Sequence, residues 1–130
     1  MTRRAAGMFE VKSWNEVAYD EEGPKLTRAS VIKELRGEIE GLGKAEYLMM
    51  YRNDGSASFV GLERIVGRIG TRKGSFVLQH IGTFAGGLAK ETWVVVPGSG
   101  TGDLEGLRGE GGYESAHAGQ YRITLDYEIG

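Results

Sequence analysis

A chain of 130 residues suits a single domain and can bury a sizeable core without disulfides or metal. Its 16 Lys and Arg against 18 Asp and Glu give a net charge of −2, so there is no basic footprint for nucleic acid. With no cysteine there is no disulfide framework, thiol nucleophile or thiolate metal site, and no apolar run approaches the ~20 residues of a membrane span. The 22 glycines, with only two prolines and no three-residue period, point to a β protein with many bends and close backbone approaches. The opening MTRRAAGMFEV has two arginines and no apolar stretch of signal length, so the expected compartment is the cytoplasm.

In chain order, residues 5–19 read as a first strand with Phe9 and Val11 on one face. Asp20-Glu21-Glu22-Gly23-Pro24 is a loop. Residues 25–40 alternate, with Thr27, Ala29, Val31, Lys33, Leu35, Gly37 and Ile39 forming one set. A helix over VIKELRGEIE is the rival reading. Gly37 in mid-pattern and the length of the alternation favour strand. Gly41-Leu42-Gly43 reads as a turn, which sets Gly37 against Tyr47 and Lys33 against Tyr51 on a third strand at 44–52. Arg52-Asn53-Asp54-Gly55 is a type I turn that sets Tyr47 opposite Gly61 and Met49 opposite Phe59.

From Ser56 to Pro97 the pattern gives three long strands and two tight turns. A turn at Arg72-Lys73 pairs Gly67 with Leu78, Ile65 with His80 and Glu63 with Gly82. The Gly86-Gly87 turn pairs Gly82 with Glu91, His80 with Trp93 and Leu78 with Val95. Alternation then places Glu63, His80, Glu91 and Trp93 on one inward face. Beyond Pro97 comes a Gly-rich loop with a short helical turn at 103–107, a seventh strand at 109–115 and an eighth at 120–129. Gly98-Ser99-Gly100-Thr101-Gly102 lacks the Gly-Lys-Ser/Thr that a phosphate loop needs. Eight strands with half-apolar faces and short turns predict a closed, antiparallel, eight-stranded up-and-down barrel in one all-β domain.

At KLTRASV, AEYLMMYRNDGSASFVGLER, GSFVLQHIGTF and VVPGSGTGDLEGLRGEGGY the chain resembles the bacterial family called domain of unknown function 3224. The resemblance covers nearly the whole chain. It implies a barrel like that of allene oxide cyclase, in a wider group whose isomerases and cyclases fold a hydrophobic substrate inside the barrel.

An interior Glu63 is expected to have a raised pKa, further raised by Glu91 across Gly82, and His80 is placed to share its proton. Glu63 and His80 are therefore the candidate acid and base. Lys33, Tyr47, Tyr51, Phe59, Glu91 and Trp93 are the candidate ligand-binding residues. The competing reading makes this ring a structural network and Lys33 a side chain reaching toward a barrel mouth. The second histidine, His117, matches no metal spacing, and no cofactor or metal is implied. On the outer face Val60, Leu62, Val66, Ile81, Val94 and Val96 form an apolar band that suggests a homodimer. Three functions follow from these features: a carrier of a small apolar molecule, a cofactor-free isomerase or cyclase, or a structural or stress-associated dimer with a filled core.

Overall fold

The computed structural model describes residues 2–115 and 120–130. Its eight strands are β1 (Arg3–Asp20), β2 (Leu26–Gly37), β3 (Ile39–Tyr51), β4 (Ala57–Ile69), β5 (Arg72–Ala85), β6 (Leu88–Val95), β7 (Leu107–Ser115) and β8 (Gln120–Ile129). They close in sequence order into an antiparallel barrel, the architecture expected from the sequence. A 3₁₀ turn at Gly102–Leu104 precedes β7. Among the described residues no helix is long and apolar enough to cross a membrane.

Two turns differ from expectation. β5 pairs with β4 through Ile65↔Phe76, Glu63↔Leu78 and Gly61↔His80, four positions away from the predicted register. The turn lies at Gly70-Thr71, two residues earlier than Arg72-Lys73. Gly70, at φ +60°, takes the first central position of a type II′ turn, which a bulkier residue resists. Likewise β2 pairs with β3 through Ala29↔Tyr47, Val31↔Ala45 and Lys33↔Gly43, so Lys33 does not face Tyr51. Gly41 and Gly43 are strand residues rather than a turn. A side chain at Gly43 would collide with the Glu63 carboxylate, 2.1 Å from the place of its Cβ. Both slips are even, so every side chain keeps its face. The β3–β4 and β5–β6 registers are as predicted, including Tyr47↔Gly61 and His80↔Trp93.

The interior is layered. One end holds a large apolar cluster that includes Leu35, Ile39, Ile65, Ile69, Phe76, Leu78, Leu107, Ile123 and Leu125. A smaller cluster of Ala29, Val31, Ala45, Tyr47 and Met49 lies toward the other end. The loop after β6 seals the first end. Leu104 is completely buried in the large cluster, and Thr101 donates its N–H to the Ser75 carbonyl. Gly74 lets this loop lie flat, since a Cβ there would stand 2.0 Å from the Thr101 carbonyl oxygen. The Gly98–Gly102 stretch is thus a packing element of the barrel end.

Leu104→Ala is expected to cost about 2–5 kcal/mol of stability, because the emptied site is walled by strands that cannot collapse inward. A urea unfolding midpoint unchanged within error would show that the loop does not seal the core.

Candidate functional site

Between the two apolar clusters lies a polar layer of Lys33, Glu63, His80 and Glu91, each no more than 3% exposed. The order along each strand sets it there. On β2, Lys33 stands between Val31 and Leu35; on β4, Glu63 stands between Gly61 and Ile65; on β5, His80 stands between Leu78 and Gly82. Lys33 Nζ donates to Tyr47 Oη at 2.6 Å and to Glu63 Oε1 at 3.2 Å. His80 Nε2 stands 2.8 Å from Glu63 Oε1, in ion-pair range but without aligned hydrogen-bond geometry, while His80 Nδ1 meets Glu91 Oε1. Two cations and two carboxylates alternate, which is how a low-dielectric interior tolerates charge.

The electrostatics correct one expectation. Burial alone would raise the Glu63 carboxyl, but Lys33 and His80 outweigh it and hold the group below its usual range. Burial would likewise lower His80, yet Glu63 and Glu91 outweigh it and raise the imidazole above its ordinary value. Glu63 is therefore a stable anion rather than a carboxylic acid poised near neutrality. Tyr47 and Tyr113 are pushed up, first by burial and then by the Glu91 charge, so both remain protonated phenols.

Above this layer, toward the smaller cluster, a cup of about 60 Å³ is lined by Phe9, Val11, Trp14, Lys33, Tyr47, Met49, Phe59, Glu91, Tyr113 and Tyr121. Lys33 and Glu91 supply its charged groups; Glu63 and His80 do not line it. On the sealed side, beneath Lys33, the remaining void is about 10 Å³, at the limit of one water molecule. Phe9 stacks on Tyr121 at 4.7 Å, and Tyr47 meets Phe59 edge-on at 5.5 Å. Trp14 lies nearly parallel to Tyr47, with ring centres 6.4 Å apart, while about half of its surface faces solvent. Glu16 pins this lid. It accepts from Trp14 Nε1 at 2.9 Å, and from Thr27 Oγ1 and Tyr51 Oη at 2.6 Å each.

The structure thus brings Lys33, Tyr47, Glu63, His80, Glu91 and Trp93 together, and Phe59 joins them at the cup wall. Tyr51 stands apart on the rim with Glu16, where burial and that carboxylate push its phenol up to about 12. His117 lies outside the described residues. Trp14, Glu16 and Tyr113 escaped the sequence reading. A register shift between Val11 and Ser13 moves Trp14 to the inward side, and alternation gives no warning of it. Tyr113 was within reach: it follows Gly109 and Gly111 at a spacing of two, and it pairs directly with Glu91.

Fold and site together define a closed eight-stranded barrel with a buried, charge-balanced belt beneath an aromatic cup. The family is equally clear. The model described as "Protein of unknown function (DUF3224)" matches residues 5–127, and the chain belongs to that family. A crystal structure of a protein of unknown function from the same family, from Shewanella oneidensis MR-1, is similar to it at 30% identity and a TM-score of 0.81. That match covers 100% of this chain and 99% of the other. No curated protein matches the chain.

Two measurements test the belt. His80→Ala leaves Glu63 and Glu91 buried without their shared cation and should cost about 3–5 kcal/mol. The pH dependence follows from the directions of the shifts. His80, raised on folding, contributes stability below its ordinary 6.5 and loses it as pH climbs through its folded value. Glu63, lowered on folding, contributes above its ordinary 4.5 and loses it as pH falls through its folded value. Stability should therefore be greatest between 4.5 and 6.5, and His80→Asn should flatten the alkaline limb in thermal melts. Melts of wild type that keep rising from pH 6 to 9 would contradict this assignment.

Proposed function

We propose that the protein binds a small, planar, largely apolar molecule in the aromatic cup, with a neutral hydrogen-bonding head turned down to Lys33 and Glu91. The cup itself carries this reading: its aromatic wall stands over a floor that holds Lys33 and Glu91, and it lies at the barrel end away from the Leu104 plug. A net charge of either sign on the ligand would meet a like charge in the floor, so a hydroxyl or carbonyl head fits better than a carboxylate or an amine.

At about 60 Å³ the closed cup takes roughly two water-sized groups, well below the ~300 Å³ at which ligand pockets usually begin. Binding therefore needs the lid to move. Among the described residues β1 pairs with β8 over Arg3–Glu10, and Ser13–Asp20 pairs with β2. Trp14 lies beyond the register shift on this part of β1, with about half of its surface in solvent, and in this reading it is the gate. In this reading the Glu63–His80 contact supports the floor and does not touch the ligand, which favours a carrier over a cofactor-free isomerase. The cytoplasm stays its setting as an expectation of the sequence.

Titration with phenol, benzoate and benzylamine, followed by tryptophan emission, tests the proposal. Phenol is expected to bind with a dissociation constant below about 1 mM and to beat both charged rings by about tenfold. Val11→Trp, which fills the cup, should abolish the signal. Equal and weak responses to all three probes would remove the proposal.

A further inference from the structure

The outer wall carries a pattern the cup does not use. On the outward faces of β3 and β4, paired residues form four successive rows: Leu42 with Val66, Lys44 with Arg64, Glu46 with Leu62, and Leu48 with Val60. The outermost rows are apolar, and the inner two carry the charges of Lys44, Arg64 and Glu46. Leu42, Leu48, Val60, Leu62, Val66 and neighbouring Ile81 are between 43% and 59% exposed. Together they present on the order of 600 Å² of apolar surface, the upper end of what a lone monomer usually shows. With the stems of the charged residues, the face approaches the ~800 Å² that each partner contributes to a standard interface.

The charges are unbalanced within the chain. Lys44 and Arg64 stand directly opposite each other, and like charges so placed are unfavourable. Neither has an ion-pair partner among the described residues, whereas Glu40, Glu46 and Glu34 around them are paired with Arg68, Arg28 and Arg36.

We infer that this face binds a second copy of the same chain about a two-fold axis that lies in the interface, crosses the strands, and passes between the Lys44 and Glu46 rows. The four rows are self-complementary about that axis and about no other crossing them. It sets Lys44 of each copy against Glu46 of the other, giving two symmetric ion pairs. The same operation sets Leu42 against Leu48 and Val66 against Val60, apolar on apolar. Arg64 meets Leu62, with its head free to reach the same Glu46. A groove of about 610 Å³ beside the inner rows, bounded by Arg28, Glu46, Leu48, Val60, Leu62 and Gln79, receives the partner's Leu42 and Val66. A face that is both knob and hole about one axis is what an isologous dimer requires.

Sedimentation equilibrium of the full chain provides the test. Wild type is expected to run at twice the chain mass. Lys44→Glu sets two glutamates together at each ion pair, and Glu46→Lys sets two lysines together. Each variant should therefore weaken its own dimer at least about tenfold. An equimolar mixture of the two restores both attractive pairs, so it should dimerise as the wild type does. Rescue by mixing also shows that both variants are folded. A wild type at single-chain mass overturns the inference, as does a dimer indifferent to either variant or a mixture that stays dissociated.

Discussion

The alternation of charge across the barrel, Lys33 to Glu63 to His80 to Glu91, is the constraint that the rest of this structure accommodates. Removing four ionisable groups from water is costly, and only their mutual contact offsets it. That contact requires opposing strands to hold their registers to within a residue. The large apolar cluster on one side supplies the rigidity, and the Leu104 plug keeps water from that side. The belt is therefore a poor place to begin acid–base chemistry. Lys33 and His80 favour the Glu63 anion, and Glu63 and Glu91 favour the His80 cation, so neither Glu63 nor His80 changes its proton readily.

Glycine makes the belt and the cup fit. Gly43 leaves room for the Glu63 carboxylate, and Gly82 leaves room for Phe59, whose ring tip lies 2.3 Å from where a Cβ would stand. Large inward side chains thus lie over small ones on the next strand. A barrel of eight strands has little interior to spare, and this is how it holds Phe9, Phe59, Tyr47, Tyr113, Tyr121 and Trp93 beside four charged groups. Gly61 does the same for Tyr47, whose ring edge lies 2.7 Å from where a Cβ would stand.

The two faces of the β3–β4 pair serve different ends through the alternation of a strand. Inward, Ala45 and Glu63 face each other in the belt; outward, Lys44 and Arg64 face each other at the surface. The inward pair is covered by the barrel itself. Among the described residues neither of these outward cations has an ion-pair partner, and they stand between apolar rows.

The sequence by itself determined the strands, the closed barrel and the inward set, because a period of two survives any even error in register. Lys33, Glu63, His80 and Glu91 were on the right face even where the predicted turns were misplaced by four and by eight residues in register. Two of the decisive registers, Tyr47 with Gly61 and His80 with Trp93, were legible because Asn-Asp-Gly and Gly-Gly turns carry their own geometry. Only the tertiary structure decided which inward groups touch. It chose Gly70-Thr71 as the turn, gave Lys33 to Tyr47 and Glu63, and lowered a carboxyl that burial alone would have raised. It also placed Trp14 over the cup through an irregularity that breaks the alternation. Facing is a local property of the strand, whereas contact, charge balance and closure depend on how eight strands are staggered around one axis.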